Sequence, residues 1–186
     1  MIKKSTLAGI LIGLGVIINI QSDIPELGAL LFSFGLLTII NMQLPLFTGK
    51  VGYLAPNLHL ILLFNFIGIG TTVGLYTIGN PYFYEYLFNA SVFKFSKDPL
   101  MLFINACFCG ALIHFAVRNK KTILTVFAVM IFILIGAEHC VADFPYFFCV
   151  CNISAINTFK MLLIIGGNSI GAIIIEKLLC GDEDNE

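Results

Sequence analysis

Long apolar runs, separated by short polar segments, occupy nearly all of this 186-residue chain. The runs lack the strict alternation of strands, and most are close to the ~20 apolar residues that a helix needs to cross a bilayer. We therefore predict an all-α integral membrane protein with six transmembrane helices. Their approximate bounds are residues 5–20, 27–40, 58–77, 100–117, 122–152 and 159–179.

Polar residues interrupt the second and the fifth of these runs. In the second, Pro45 and Gly49 flank the pair Phe47-Thr48, which marks a non-helical excursion. In the fifth, the pair Glu138-His139 follows a wholly apolar stretch, and ionisable residues in such a setting indicate a functional site. A break in a helix within the membrane is tolerated only where the freed backbone lines a cavity or is buried in protein. We predict that both helices are broken.

The two halves of the chain carry matching motifs in the same order. Asn65-Phe66-Ile67-Gly68 in the third run parallels Asn168-Ser169-Ile170-Gly171 in the sixth, and each half holds one break. Three spans in each half predict a 3+3 inverted repeat in an aquaporin-like arrangement, with the site where the broken helices meet. Residues 1–186 then form a single transmembrane channel domain with halves of about 1–98 and 99–186. The alternative is coincidence between short motifs in apolar sequence of low complexity.

Composition narrows the functional classes. The chain is 59% hydrophobic and 11% charged, whereas soluble domains carry about a quarter charged residues. It has no basic patch, and we expect no nucleic-acid partner. The six cysteines lie in or beside apolar runs, which disfavours a disulfide framework. Cys149-Val150-Cys151 lacks matching metal ligands, so we expect packed thiols and no metal or cofactor.

Basic residues indicate the orientation of the chain. Most fall on one side of a six-span arrangement, and the first loop on the other side is acidic; these bases are Lys3, Lys4, Lys50, Arg118, Lys120, Lys121 and Lys177. The positive-inside rule then makes both termini cytoplasmic, in a multi-pass protein of the inner (cytoplasmic) membrane. Residues 79–99, predicted as the longest extramembrane stretch, place Lys94 and Lys97 on the outer side. Lys160 is a further exception.

Four stretches together resemble the formate/nitrite transporter family. They are Phe32-Ser33-Phe34-Gly35-Leu36 with Leu46-Phe47-Thr48-Gly49-Lys50, the run from Cys109 to Val117, Gly136-Ala137-Glu138-His139-Cys140-Val141-Ala142, and Gly167-Asn168-Ser169-Ile170-Gly171. They occur in family order across nearly the whole chain. Of the four stretches, Glu138-His139-Cys140-Val141-Ala142 is the one that is specific to this family.

The resemblance implies a homopentamer in the lipid bilayer, with one pore through each protomer, and no enzymatic activity. It implies transport of small monovalent anions of weak acids (formate, nitrite, hydrosulfide), proton-coupled or as the neutral acid. The implied roles are His139 as the central histidine, Thr48 facing it, Glu138 supporting the histidine loop, Lys94 attracting anions, and Phe32, Leu36 and Phe132 as apolar constrictions.

Alternatives remain open for the function and for each residue. Asparagine is usual in the family where this chain has Gly110 and Asp143, and the loss of a pore-side amide favours a channel for small neutral solutes as the runner-up. An enzyme or metal site on Glu138-His139-Cys140 is disfavoured, because adjacent residues point in different directions. Each candidate residue also has a purely structural alternative. His139 is then a structural histidine, Thr48 a helix cap, Lys94 a snorkelling lysine, and the three constriction residues simply pack. We expect the family's N-terminal cytoplasmic helix to be absent.

Overall fold

The computed structural model describes residues 1–150 and 154–180, and every regular element in these ranges is a helix. The helices are α1 (Ile2–Gln21), α2 (Pro25–Asn41), α3 (Phe47–Lys50), α4 (Leu58–Gly79), α5 (Pro81–Ser96), α6 (Pro99–Asn119), α7 (Thr122–Leu134), α8 (Cys140–Cys149) and α9 (Ala155–Cys180). The last residue of the predicted fifth span, Asn152, lies outside the described residues.

Four helices, α1, α4, α6 and α9, are long and apolar enough to cross a membrane. Their outward side chains include large apolar groups such as Leu75, Phe108 and Ile174, each more than half exposed, as expected for a surface that faces lipid. The chain is therefore an all-helical membrane protein. The second and fifth predicted spans correspond to α2 and to α7 with α8, which are apolar but shorter.

Helical backbone stops after α2 and again after α7. After α2 it passes through Gln43, whose φ is +53°, and reaches the four-residue helix α3. After α7 it turns at Gly136, whose φ of +68° lies in the left-handed region that glycine adopts without a steric penalty. Helix α8 then begins at Cys140. Each interruption thus precedes a short helix whose N-terminal backbone needs hydrogen-bond partners.

Asn65 of α4 supplies partners for the first interruption. Its Oδ1 accepts a hydrogen bond from the Phe47 N–H at 2.9 Å. Its Nδ2 donates to the Pro45 carbonyl oxygen at 3.0 Å and to the Ser5 carbonyl oxygen at 2.8 Å. One buried amide therefore ties the start of α3 to α1 and α4.

Asn168 of α9 makes the corresponding bonds at the second interruption. Its Oδ1 accepts from the Cys140 N–H, and its Nδ2 donates to the carbonyl oxygens of Glu138 and Ala106, all at 2.8 Å. The same amide, with the same three types of partner, thus holds α8 to α6 and α9. The motif shared by the two halves of the sequence has one structural role in both.

Two glycines allow the helix pairs that carry these asparagines to approach closely. A Cβ at Gly9 would lie 2.1 Å from the Asn65 carbonyl oxygen, and a Cβ at Gly110 would lie 2.1 Å from the Asn168 carbonyl oxygen. Small residues at such contacts let helix backbones meet in lipid. Gly110 therefore faces α9 and not a passage. The expectation that it removes a pore-side amide is wrong, because any side chain there would enter the α6–α9 contact.

The stretch predicted as an extramembrane connection, residues 79–99, contains a helix that the sequence analysis did not predict. Helix α5 starts at Pro81, a favoured first position, and buries every fourth residue: Phe83, Leu87, Ser91 and Phe95. Its outward side chains are also aromatic, so no amphipathic pattern is visible in the sequence. Packing of α5 against α4 and α8 brings Lys94, in its last turn, and Lys97, just after its end, over the second interruption.

Candidate functional site

The two interruptions meet at Thr48 and His139. Thr48 belongs to α3 and His139 caps the N-terminus of α8, and the Thr48 Oγ1 lies 3.0 Å from the His139 Nε2. The Ala142 N–H donates to His139 Nδ1 at 3.1 Å. Because a backbone N–H only donates, Nδ1 is the acceptor, and the neutral ring carries its hydrogen on Nε2. That hydrogen is therefore directed at the Thr48 hydroxyl.

Two cavities lie on either side of this pair. The first, the Lys94 cavity, has a volume of about 210 Å³ and is lined by residues that include Phe32, Lys94, Lys97, Phe132, His139, Asp143 and Tyr146. The second, the Lys50 cavity, has a volume of about 480 Å³ and is lined by residues that include Ile39, Ile40, Leu44, Leu46, Gly49 and Lys50. His139 lines the first cavity, and Gly49, the neighbour of Thr48, lines the second. The contact between Thr48 and His139 therefore lies between residues of the two cavity walls.

Apolar side chains lie beside the Thr48–His139 pair. The rings of Phe32 and Phe132 lie edge to face, and the Phe132 ring is 6.0 Å from the His139 ring between centroids. Leu36 follows Phe32 by one turn of α2 and is 1% exposed. Since Phe32 lines the Lys94 cavity and Ile39 lines the Lys50 cavity, Leu36 lies along α2 between the two cavities.

An ion-pair network covers the loop that carries His139. The Lys94 ammonium contacts Glu138 Oε2 and lies 2.8 Å from Asp143 Oδ1, and the Lys97 ammonium lies 2.7 Å from Glu138 Oε1. Glu138 is fully buried. A buried charge is tolerated when it is paired. These two ammonium groups and two carboxylates have a formal charge sum of zero.

The structure places each predicted residue as follows. The contact between the two interruptions brings together Thr48, His139, Phe32 and Phe132. Leu36 lies on the next turn of α2 after Phe32. Glu138, expected to support the histidine loop, accepts from Asn168 through its carbonyl oxygen, while its carboxylate pairs with Lys94 and Lys97. Lys94 lies in the wall of its cavity, held by two carboxylates.

Sequence reasoning missed Lys97, Tyr146 and the ion pair of Asp143. Lys97 follows Lys94 by three residues and is the first residue after α5, and no helix was predicted there. The Lys94 ammonium lies 5.2 Å from the centre of the Tyr146 ring. Asp143 and Tyr146 follow His139 by four and seven residues on α8, and this helical spacing is the signal that could have grouped them.

Among residues 1–150 and 154–180, no group of three or more His, Cys, Asp or Glu side chains is placed so that it could hold a metal ion. Cys151, one of the two cysteines weighed as metal ligands, lies outside these ranges. His114 is buried, and its Nε2 lies 2.7 Å from Glu176 Oε2, between α6 and α9. It lines neither cavity described above.

Comparison with known proteins shows which fold these helices form. No protein-family model matches the sequence, and no curated protein matches it. A solved pentameric formate channel with formate bound matches with a TM-score of 0.76 and 18% identity, over 98% of this chain and 94% of that one. A solved FNT family ion channel matches with a TM-score of 0.80 and 20% identity, over 98% and 89%. This chain therefore has the fold of the formate and FNT family channels.

Proposed function

We propose that this protein is a membrane channel for small monovalent anions of weak acids, of the formate class, which cross as the neutral acid or together with a proton. The observation that carries the proposal is the buried Thr48–His139 pair between two cavities, flanked by Phe32, Phe132 and Leu36. The Thr48 hydroxyl and the His139 ring N–H can exchange their mutual contact for hydrogen bonds to a small solute at the point where the wall is otherwise apolar.

The free energies of burying an ion and of protonating a weak acid favour a solute without net charge beside the Thr48–His139 pair. The idealised cost of moving a small ion into a low-dielectric medium is of order 20 kcal/mol, and several kcal/mol remain after relaxation. A carboxylic acid with a pKa near 4 is protonated at pH 7 for roughly 4 kcal/mol. Passing the narrow part as the neutral acid is therefore the less costly route, and the solute's proton travels with it.

A two-fold repeat supports a channel architecture. α1 packs on α4 as α6 packs on α9, and α4 contacts α8 as α9 contacts α3. Asn65 and Asn168 anchor the two interruptions with equivalent bonds. We propose six spans in a 3+3 inverted repeat, with α2–α3 and α7–α8 as the broken spans. The resemblance to the pentameric channel supports a homopentamer. The basic residues near both termini and Lys50 support a cytoplasmic location for the Lys50 cavity.

The role predicted for Lys94, drawing anions toward the pore, stays a prediction. Its ammonium lies in the wall of the first cavity, as that role requires. It is also paired with Glu138 and Asp143, and Lys97 is paired with Glu138. Pairing lowers the field that an approaching anion meets, because each positive charge has a negative charge at contact distance.

A flux panel in liposomes tests the proposal. Purified protein is reconstituted, and uptake of formate, nitrite, hydrosulfide and glycerol is measured beside empty liposomes, with internal pH recorded by a trapped dye. We expect the three weak acids to enter with acidification of the lumen and glycerol to stay outside. His139→Asn keeps a residue that caps helices well but shortens the reach to Thr48, and we expect roughly a tenfold loss of flux or more.

The matched control is His59→Asn, since His59 is exposed at the start of α4. It is expected to retain wild-type flux. Glycerol entry as fast as formate entry would replace the proposal with a neutral-solute channel. Formate entry without acidification of the lumen would contradict passage with a proton.

A further inference from the structure

Asp143 has one carboxylate oxygen that the protein leaves without a partner. Its Oδ1 lies 2.8 Å from the Lys94 ammonium. Its Oδ2 is buried and has no hydrogen-bond partner among the described residues. Asp143 is 2% exposed and lines the Lys94 cavity together with His139. Buried polar atoms are nearly always paired with protein or with ordered water, so an acceptor without a partner beside a cavity is an unusual feature of this wall.

The charges around this oxygen leave the cavity without a net positive charge. Lys94 of α5 and Lys97, which follows the end of α5, face Glu138, which precedes α8, and Asp143 of α8. The four formal charges sum to zero. Lys160 from α9 directs its ammonium to the Phe95 carbonyl oxygen at 2.7 Å and does not line the cavity. Without Asp143 the same wall would carry one net positive charge.

The two forms of a weak acid differ at this wall. The anion of a carboxylic acid offers only acceptors and is repelled by a second carboxylate. The protonated acid carries no net charge and offers one O–H donor, which fits an acceptor without a partner. Hydrogen sulfide offers an S–H donor in the same way. Asp143 therefore discriminates between protonation states of one solute.

We propose that Asp143 makes the Lys94 cavity selective for the uncharged, protonated form of a weak acid, whose acid hydrogen its second oxygen receives as a hydrogen bond. This inference rests on the proposed function and names the form of the substrate that the site takes. No covalent bond is made or broken, and the solute keeps its proton until it leaves the narrow part.

The test compares the wild type with Asp143→Asn in proteoliposomes that carry an imposed potassium diffusion potential. Formate uptake is measured from pH 6 to pH 8, with and without the potential. Wild-type uptake is expected to fall about tenfold for each unit by which the pH rises, because the concentration of formic acid falls by that factor. It is expected to be independent of the imposed potential. Asp143→Asn leaves one net positive charge and is expected to add a voltage-dependent uptake that exceeds wild-type uptake at pH 8 by roughly tenfold.

Lys97→Gln shifts the charge balance in the opposite direction and supplies a second measurement that does not depend on the folding of Asp143→Asn. It is expected to stay insensitive to the potential, and Asp143→Asn combined with Lys97→Gln is expected to lose the added voltage-dependent uptake. Asp23→Asn, at an exposed aspartate, is the matched control and should behave as the wild type.

The outcomes separate the two claims. A wild type that moves no formate beyond empty liposomes overturns the proposed function and this inference with it. A wild type that moves formate, with an Asp143→Asn protein of unchanged pH profile and voltage response, overturns the inference alone. Voltage-dependent uptake by the Lys97→Gln protein also overturns it.

Discussion

The rings of Phe32 and Phe132 meet edge to face, with their centroids 5.8 Å apart and their planes at 86°. One ring comes from α2 and the other from α7, the two helices that precede the interruptions. Both rings line the Lys94 cavity, and Phe132 also lies against the His139 ring. The contact therefore joins α2 and α7 beside His139.

Removing one of these rings is expected to widen the passage. Phe132→Ala should raise formate flux several-fold and admit larger carboxylates such as lactate, because the apolar constriction loses one wall. Loss of a buried ring also costs about 3–5 kcal/mol, so the melting temperature should fall. Flux and thermal unfolding of the same preparation measure both effects. Phe127→Ala on the same helix, where the ring is 54% exposed, should change neither; equal flux in Phe132→Ala and wild type would argue against a constriction.

The Thr48–His139 contact predicts a coupled loss of function. Thr48→Val keeps the shape of the side chain and removes the hydroxyl, so flux should fall roughly tenfold, while Thr48→Ser should retain most of it. Residues that act as one unit give non-additive losses. The double variant Thr48→Val with His139→Asn should therefore be about as slow as either single variant. Losses that multiply in the double variant would show that the two side chains act independently.

Glu138 is expected to be needed for folding as well as for transport. Glu138→Gln leaves two lysines facing one remaining carboxylate, and breaking a buried pair in this way costs about 3–5 kcal/mol. The free energy of unfolding in detergent, or the melting temperature, should fall accordingly. Glu85→Gln removes an exposed charge from α5 and is expected to have no such effect. A Glu138→Gln protein as stable as the Glu85→Gln protein would contradict the ion-pair network.

Asn168 is expected to be among the most sensitive positions in the chain. Asn168→Leu keeps the side-chain size but leaves a buried N–H and two carbonyl oxygens without their partner, at about 1–3 kcal/mol for each unsatisfied group. Asn65→Leu should cost a similar amount, because its three bonds are equivalent. Asn41→Leu, at the exposed end of α2, is the comparison. Yield and melting temperature measure the effect, and a large difference between the Asn65 and Asn168 variants would contradict their equivalence.

Much of the site was visible in the sequence because membrane chemistry makes polar residues conspicuous. Thr48 and His139 stand out beside apolar runs that lipid requires, and Pro45 and Gly136 show where helical backbone is hard to continue. Their contact across 91 positions of the chain was anticipated from the repeat and from the family resemblance, and the structure places the two atoms 3.0 Å apart.

Other features depended on packing that local pattern does not encode. Helix α5 carries aromatic side chains on its buried and its exposed faces, so its sequence looks like an irregular connection. The sequence does not show which charges pair with Lys94, because Glu138 and Asp143 lie 44 and 49 positions further along the chain. Gly110 was read as a missing amide because a glycine does not reveal which neighbour it touches.

The sequence by itself determined that the chain is helical, that it belongs in a membrane, and where its backbone leaves the helix, because these properties follow from hydropathy and from the local preferences of proline, glycine and ionisable residues. Only the tertiary structure decided which charges neutralise each other and which oxygen of Asp143 stays free. Ion pairing and hydrogen bonding act over a few ångströms in space, and the distance in space between two residues of different helices is set by how the helices pack.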